Sequence, residues 1–144
     1  MAVAFAVTEV AGFPARAPRA PRDNVAVRMD EGVVRGLFDT GAAAHPTIRM
    51  SLERFAARLA GRAVGADARA PDLFLAVACE EKDPAALAQF EADLIGRLRS
   101  LLRRIESDRE LIDELVQVVR VRVLVGTGEI GPRIATYTGA GSLI

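Results

Sequence analysis

The stretch from Asp83 to Ile105 reads DPAALAQFEADLIGRLRSLLRRI and decides the fold class. Its apolar residues recur every three or four positions, which is the period of a helix that buries one face. They are Leu87, Phe90, Leu94, Leu98, Leu101 or Leu102, and Ile105. Asp83 and Pro84 mark the start, because the carboxylate accepts from free N–H groups and proline has no N–H to leave unpaired there.

A second long helix is predicted directly after the first. Ser107 and Glu110 fit the capping box, in which each side chain accepts from the other residue's backbone N–H, and an apolar run starts at Leu111. The far end of this run is ambiguous from the residues alone. Between Val119 and Val125, β-branched residues alternate with arginine and leucine, which favours a strand.

Shorter elements are expected on both sides of this pair. Ser51 is placed to cap a short amphipathic helix, and residues 73–79 form an apolar run that predicts a short buried helix. Residues 25–38 have helical spacing that two glycines weaken. Residues 1–22 read as a flexible leader rich in Pro, Ala and Arg, and the glycines after residue 125 predict a loop-rich tail.

Composition limits the classes of protein that fit. The chain has 144 residues, of which 51% are hydrophobic, so it has the size and apolar content of one folded domain. Nineteen basic and nineteen acidic residues give zero net charge, which excludes a protein that coats nucleic acid by charge alone. One cysteine and one histidine provide neither a disulfide nor a Cys/His zinc site within the chain. We expect no metal, cofactor, membrane segment or enzymatic activity, and a cytoplasmic location.

Three small motifs contain residue types that could carry chemistry. Residues 126–131 match G-x-G-x-x-G, but a dinucleotide site also needs a long helix after the glycines, and Pro132 with further glycines argues against one. His45 has no nucleophile or carboxylate in a recognisable arrangement, so we expect a surface or capping role. Cys79 lies among apolar residues, where a free thiol behaves as a small buried hydrophobe.

A cluster of acids at the start of the second helix is more informative. Glu110, Asp113, Glu114 and Gln117 follow helical spacing and share one face. The residues alone leave two interpretations open, a solvated first turn favoured by the helix dipole or an interface. The arginines before it, at positions 97, 99, 103 and 104, are expected to pair with these acids or face solvent.

The two helices together resemble region 2 of the sigma-70 family of bacterial RNA polymerase factors. The resemblance rests on the Asp83-Pro84-Ala85-Ala86-Leu87 start and on Asp113-Glu114-Leu115-Val116-Gln117 followed by an apolar and basic continuation. Residues 45–79 are similar to the N-terminal extension of a myxobacterial-type, extracytoplasmic-function-like group, so the resemblance covers roughly residues 37–143. It departs from the family at Val118, where an acid is usual.

The resemblance implies a promoter-recognition subunit that docks on a coiled coil of the largest core polymerase subunit. Asp113, Glu114 and Gln117 would be the polar contacts, with Leu115 and Val116 on the buried side. Residues near promoter DNA would be Arg120, Arg122, Arg133 and Tyr137. The tryptophan-bearing melting helix and the helix-turn-helix of the family have no counterpart in the sequence, so we expect a truncated factor that contacts promoter DNA only as part of a complete one.

A second interpretation belongs to another class of function, a stand-alone helical module that occupies the polymerase docking site without binding DNA. Coding DNA beyond codon 144 would discriminate the two interpretations. The predicted fold is an all-α helical bundle with a long antiparallel helix pair and a Gly-rich C-terminal tail. Its predicted parts are the leader (1–22), an N-terminal helical extension (23–82) and a partial sigma region 2 (83–144). On the strength of the resemblance, the second helix is extended through Val125.

Overall fold

The computed structural model describes residues 29–143, so the leader predicted for residues 1–22 lies outside the described residues. The described part is mostly helical and contains no β-strand, which confirms the all-α prediction. Six α-helices follow in order: α1 (Glu31–Ala44), α2 (Leu52–Leu59), α3 (Ala70–Glu80), α4 (Pro84–Phe90), α5 (Gly96–Leu102) and α6 (Arg109–Leu124). A π-helical turn, Glu91–Ile95, joins α4 to α5, and a 3₁₀ turn spans Arg133–Thr136.

Local capping chemistry sets two of the helix starts as predicted. The Ser51 hydroxyl accepts from the N–H of Arg54 at the start of α2. The Asp83 carboxylate accepts from the N–H of Ala86 at the start of α4, with Pro84 in the first turn. Both caps supply an acceptor to backbone donors that have no partner inside the helix.

The capping box predicted at Ser107 is wrong. Helix α6 begins at Arg109 and its cap is Asp108, whose carboxylate accepts from the N–H groups of Glu110 and Leu111. The Glu106 carboxylate instead accepts from the N–H groups of Ser107 and Asp108. Ionised carboxylates make stronger hydrogen bonds than a hydroxyl, so the neighbouring acids take the capping positions.

Helix α3 is the centre of the main core, as its apolar run predicted. Every residue from Leu73 to Cys79 is buried. Phe74 meets the rings of Phe38 and Phe55 at centroid distances of 5.7 and 5.8 Å, within the range of favourable aromatic packing. Helix α1 approaches α3 closely at Gly41, where a β-carbon would lie 2.3 Å from Cβ of Phe74.

The Val-rich end of the second long segment is helical, against its local strand preference. Helix α6 ends at Leu124 with Val125 as its C-cap, so this stretch is helical as predicted and its end lies one residue before the predicted one. The buried residues of this helix, Ile112, Val116 and Leu124, are four and eight residues apart, which is the spacing of an amphipathic helix. Gly126, with φ +87°, closes the helix by donating its N–H to the Val121 carbonyl.

The segment from Pro84 to Leu102 is not one regular helix, because the π-helical turn interrupts it. It packs on α6 through a small cluster of buried residues, Ile95, Ile112 and Val116. Two ion pairs flank this cluster: Glu91 pairs with Arg120, and Arg99 pairs with Asp113. Successive residues of the first segment therefore contact α6 in reverse order.

The glycine-containing segment after α6 packs back onto the main core. Ile134 is buried in the same cluster as Leu73, although residue 83 is the predicted boundary between the parts of the chain to which they belong, 23–82 and 83–144. The backbone is fixed by hydrogen bonds from the Arg69 N–H to the Gly139 carbonyl and from the Leu143 N–H to the Asp72 carboxylate. Residues 126–143 thus add side chains to the core despite their low apolar content.

Candidate functional site

The three predicted docking residues, Asp113, Glu114 and Gln117, all lie exposed on α6. Asp113 forms an ion pair with Arg99 of α5, yet 61% of its side chain remains accessible to solvent. Such an exposed pair contributes little to stability, because water screens both charges. Asp113 can therefore exchange Arg99 for another cation at small cost.

Gln117 belongs to a hydrogen-bonded group with Arg120 and Glu91. The Arg120 guanidinium donates to the Gln117 amide oxygen at 2.5 Å and to the two Glu91 oxygens at 2.5 and 2.8 Å. The hydrogen bond with Glu91 raises the pKa of Arg120 above its ordinary value. Arg120, predicted to lie near DNA, thus has its charge matched by a carboxylate within the chain.

Glu114 has no side-chain partner among residues 29–143, and it is exposed. Glu110 provides only its backbone N–H to the Asp108 cap, so its carboxylate also faces water. These two acids lie four residues apart and are therefore neighbours on the surface of α6. Two of the four polar residues of the predicted face are thus engaged within the chain, and two are available.

The other exposed side of α6 is apolar. Leu111 and Leu115 are each 39% exposed and Val118 is 54% exposed. Leu115 follows Asp113 by two residues, which turns it roughly 200° around the helix axis and away from the ion pair with Arg99. The expectation that Leu115 and Val116 are both buried is wrong for Leu115, because a single-residue step of about 100° leaves only Val116 facing Ile95.

The remaining residues predicted to approach DNA are divided between two places. Arg122 and Arg133 are exposed and line one small cavity of about 140 Å³ beside the turn at Gly126. Tyr137 lies apart from that cavity lining, and its hydroxyl donates to the Gly141 carbonyl at 2.7 Å. Desolvation and the charge of Asp72 raise the pKa of Tyr137. Of the four residues predicted to lie near DNA, the structure therefore brings together only Arg122 and Arg133.

His45 caps α1, since its backbone N–H donates to the Gly41 carbonyl, but its ring is buried and not at the surface. Its two ring nitrogens lie 3.0 Å from the Pro71 carbonyl oxygen and 3.2 Å from Oε1 of Gln89. The ring stacks on Phe74 with a centroid distance of 6.2 Å. These contacts make His45 a structural link between α1, α3 and α4.

Cys79 is buried as predicted, at 1% exposure. Burial, and to a smaller extent the charge of Asp83, raises the pKa of its thiol to about 12. A thiol with so high a pKa is protonated at neutral pH and is a poor nucleophile. The structure thus gives Cys79 a packing role in the core.

The glycine motif at residues 126–131 forms a turn closed by a bridge between Thr127 and Ile130. The next element is the four-residue 3₁₀ turn, Arg133–Thr136, and not the long helix that would receive a pyrophosphate at its N-terminus. Across residues 29–143, no group of three or more His, Cys, Asp or Glu side chains is arranged to hold a metal ion. No helix in this range has the length and apolar content to span a bilayer.

Comparisons with known proteins find no match, whether with protein-family models, with curated proteins or with solved structures.

Proposed function

We propose that the chain is a protein-docking factor of the sigma-70 type, which binds core RNA polymerase through the exposed polar face of α6. The observation that carries the proposal is the arrangement of Asp113, Glu114 and Gln117, which stand on one helix with their side chains open to solvent. An acidic helical face complements a basic coiled coil, and such complementarity provides specificity and fast association. The resemblance to sigma region 2 supplies the identity of the partner, the coiled coil of the largest polymerase subunit.

The packing beneath α6 supports a docking role. Ile95, Ile112 and Val116 are buried between α6 and the segment before it, and the ion pairs of this interface join residues in reverse order along the two segments. We interpret residues 84–124 as the long antiparallel helix pair that the sequence predicts. A face held by such a pair is ordered before a partner arrives, so less conformational entropy is lost on binding.

A pull-down with purified core RNA polymerase tests the proposal. The double variant Asp113→Ala with Gln117→Ala should bind core polymerase more weakly, since truncating charged interface contacts can cost about 2 to 5 kcal/mol. Arg99→Ala is the matched control, because it breaks the same ion pair with Asp113 but leaves the Asp113 carboxylate in place. We expect this control to bind as well as the unaltered chain.

Two results would contradict the proposal. Equal binding by the double variant, with an unchanged circular dichroism spectrum, would exclude this face as the dock. If Arg99→Ala lost polymerase binding equally, the effect would come from weaker packing of α6 on its neighbour and not from lost contacts with the polymerase.

In this proposal, the chain contacts promoter DNA only as part of a complete factor bound to core polymerase in the cytoplasm. Because its net charge is zero, the chain alone has only a weak electrostatic affinity for DNA phosphates. The pair Arg122 and Arg133, which share one cavity lining, offers local positive charge when the polymerase brings DNA close. In this proposal the chain performs no catalysis and needs no cofactor.

A second candidate function is a stand-alone helical interaction module. It is favoured by the exposed apolar side of α6, because Asp113 and Gln117 already have partners within the chain. A partner that binds there would be apolar rather than basic. Loss of polymerase binding in Val118→Glu, with binding retained in the Asp113 and Gln117 double variant, would favour this second function.

A further inference from the structure

Five of the large hydrophobic side chains that are exposed in residues 29–143 belong to α5, α6 and the turn between them. They are Leu101, Ile105, Leu111, Leu115 and Val118, with exposures from 39% to 82%. Exposed apolar side chains that are grouped on neighbouring elements often mark association sites. We call these five residues the apolar side of the helix pair.

Helical rotation places Leu101 and Leu115 on one side of the helix pair and the ion pair of Arg99 with Asp113 on the other. On α5, Leu101 follows Arg99 by two residues, and on α6, Leu115 follows Asp113 by two residues. Each step of two residues turns a side chain by roughly 200°. Because Arg99 and Asp113 contact each other on one side, Leu101 and Leu115 are both directed to the opposite side.

The charges next to the apolar side are opposite in sign at the two ends of α6. Glu114 lies in the N-terminal half, beside Leu111 and Val118, and Arg122 lies in the C-terminal half. Both side chains are exposed, and neither has a side-chain partner among residues 29–143. Two copies of this surface are therefore complementary in charge when their α6 helices run antiparallel.

We propose that two copies of this chain associate through the apolar side of the helix pair, with the two α6 helices antiparallel about a two-fold axis between Leu115 and Val118. Leu115 of one copy packs on Val118 of the other, and Arg122 of one copy comes beside Leu111 and Glu114 of the other. The two helix pairs together form a four-helix bundle, which buries apolar side chains that each pair alone leaves in water. The interface is isologous, so it closes at a dimer.

Charge decides between the antiparallel and the parallel arrangement. With parallel α6 helices, Glu114 would face Glu114 and Arg122 would face Arg122, which is repulsive at both ends. The antiparallel arrangement replaces both repulsions with two symmetric attractions between Glu114 and Arg122. Self-association would hold whether or not α6 binds a polymerase, and its test contains no polymerase.

Sedimentation velocity of the full chain over a range of concentrations is the test. The unaltered chain should show a monomer–dimer equilibrium, and Val118→Glu should raise the dimer Kd by about tenfold or more, because each dimer would bring two carboxylates into its apolar interface. Val33→Glu is the matched control, since Val33 on α1 is 52% exposed, close to the 54% of Val118. We expect this control to dimerise as the unaltered chain does.

A charge exchange tests the predicted orientation and does not depend on the apolar substitution. Arg122→Glu should weaken the dimer, and adding Glu114→Arg to it should restore the dimer, because the exchanged pair has the same complementarity with the signs reversed. Circular dichroism checks that each variant is folded. Three results would overturn the proposal. The unaltered chain could stay monomeric up to its solubility limit, it could form species larger than a dimer, or Val118→Glu could dimerise normally. Failure of the double exchange to restore the dimer would overturn the antiparallel arrangement.

Discussion

The guanidinium of Arg62 pairs with the carboxylate of Glu80 and reaches from there into the C-terminal segment. Its side chain is only 3% exposed. One of its nitrogens donates to the carbonyl oxygens of Ile134 at 3.1 Å and Tyr137 at 2.8 Å. A single arginine after α2 thus connects the end of α3 with the 3₁₀ turn at Arg133–Thr136.

Removing this arginine should destabilise the chain strongly. Arg62→Ala leaves the Glu80 carboxylate and the carbonyls of Ile134 and Tyr137 without this donor, and the expected loss is about 3 kcal/mol of unfolding free energy. Urea denaturation followed by circular dichroism measures the loss. Arg58→Ala is the matched control, because Arg58 also pairs with Glu80 but its side chain is 45% exposed. We expect a loss of less than about 1 kcal/mol for that variant, and equal losses would show that the buried position of Arg62 has no special effect.

Two glycines of α1 should respond in opposite directions to alanine. Gly41→Ala places a methyl group 2.3 Å from Cβ of Phe74, so α1 must shift away from α3, and the expected loss of stability is about 1 to 3 kcal/mol. Gly36→Ala adds the same methyl group where no atom lies within 4 Å. Its expected effect is a gain of about 1 kcal/mol from helix propensity. Thermal unfolding of both variants measures the contrast, and a neutral Gly41→Ala would argue against close contact of α1 with α3.

The thiol of Cys79 should make the stability of the chain fall at high pH. Burial raises its pKa from 9.0 to about 12, so the unfolded chain releases the thiol proton at lower pH than the folded chain does. The stability difference is therefore fully present below pH 9 and is lost as the pH rises toward 12. Unfolding free energies of the unaltered chain and of Cys79→Ala, measured across this range, should differ by an amount that shrinks with rising pH. A constant difference would contradict the prediction, since other titrating groups are common to both proteins.

Features that depend on neighbouring residues could be predicted from the sequence, and long-range contacts could not. The Ser51 and Asp83 caps and the buried run of α3 follow from a few adjacent residues, and the structure has all three. The cap of α6 was misplaced by one residue because several acceptors compete within residues 106–110. The burial of His45 had no local signal, since its partners Pro71 and Gln89 lie 26 and 44 residues away.

The same distinction holds for the candidate site. Helical spacing was sufficient to predict that Asp113, Glu114 and Gln117 share an exposed face of α6. It could not show that Arg99 and Glu91 come from another segment to pair with Asp113 and Arg120, because that depends on how two helices are packed. Nor could it separate Leu115 from Val116 in burial, since the side of α6 that faces its neighbour was not known.

The two sides of α6 should be separable by substitution, because polymerase docking is assigned to one side and self-association to the other. Val118→Glu should weaken the dimer and leave polymerase binding intact, since Val118 follows Gln117 by about 100° and lies away from Arg99 and Arg120. The Asp113 and Gln117 double alanine variant should have the reverse effect. Sedimentation velocity and a polymerase pull-down on both variants give four measurements.

Glu114 lies between the two sides, so Glu114→Ala should weaken both associations. A variant set in which both properties always change together would show that α6 presents one binding surface and not two.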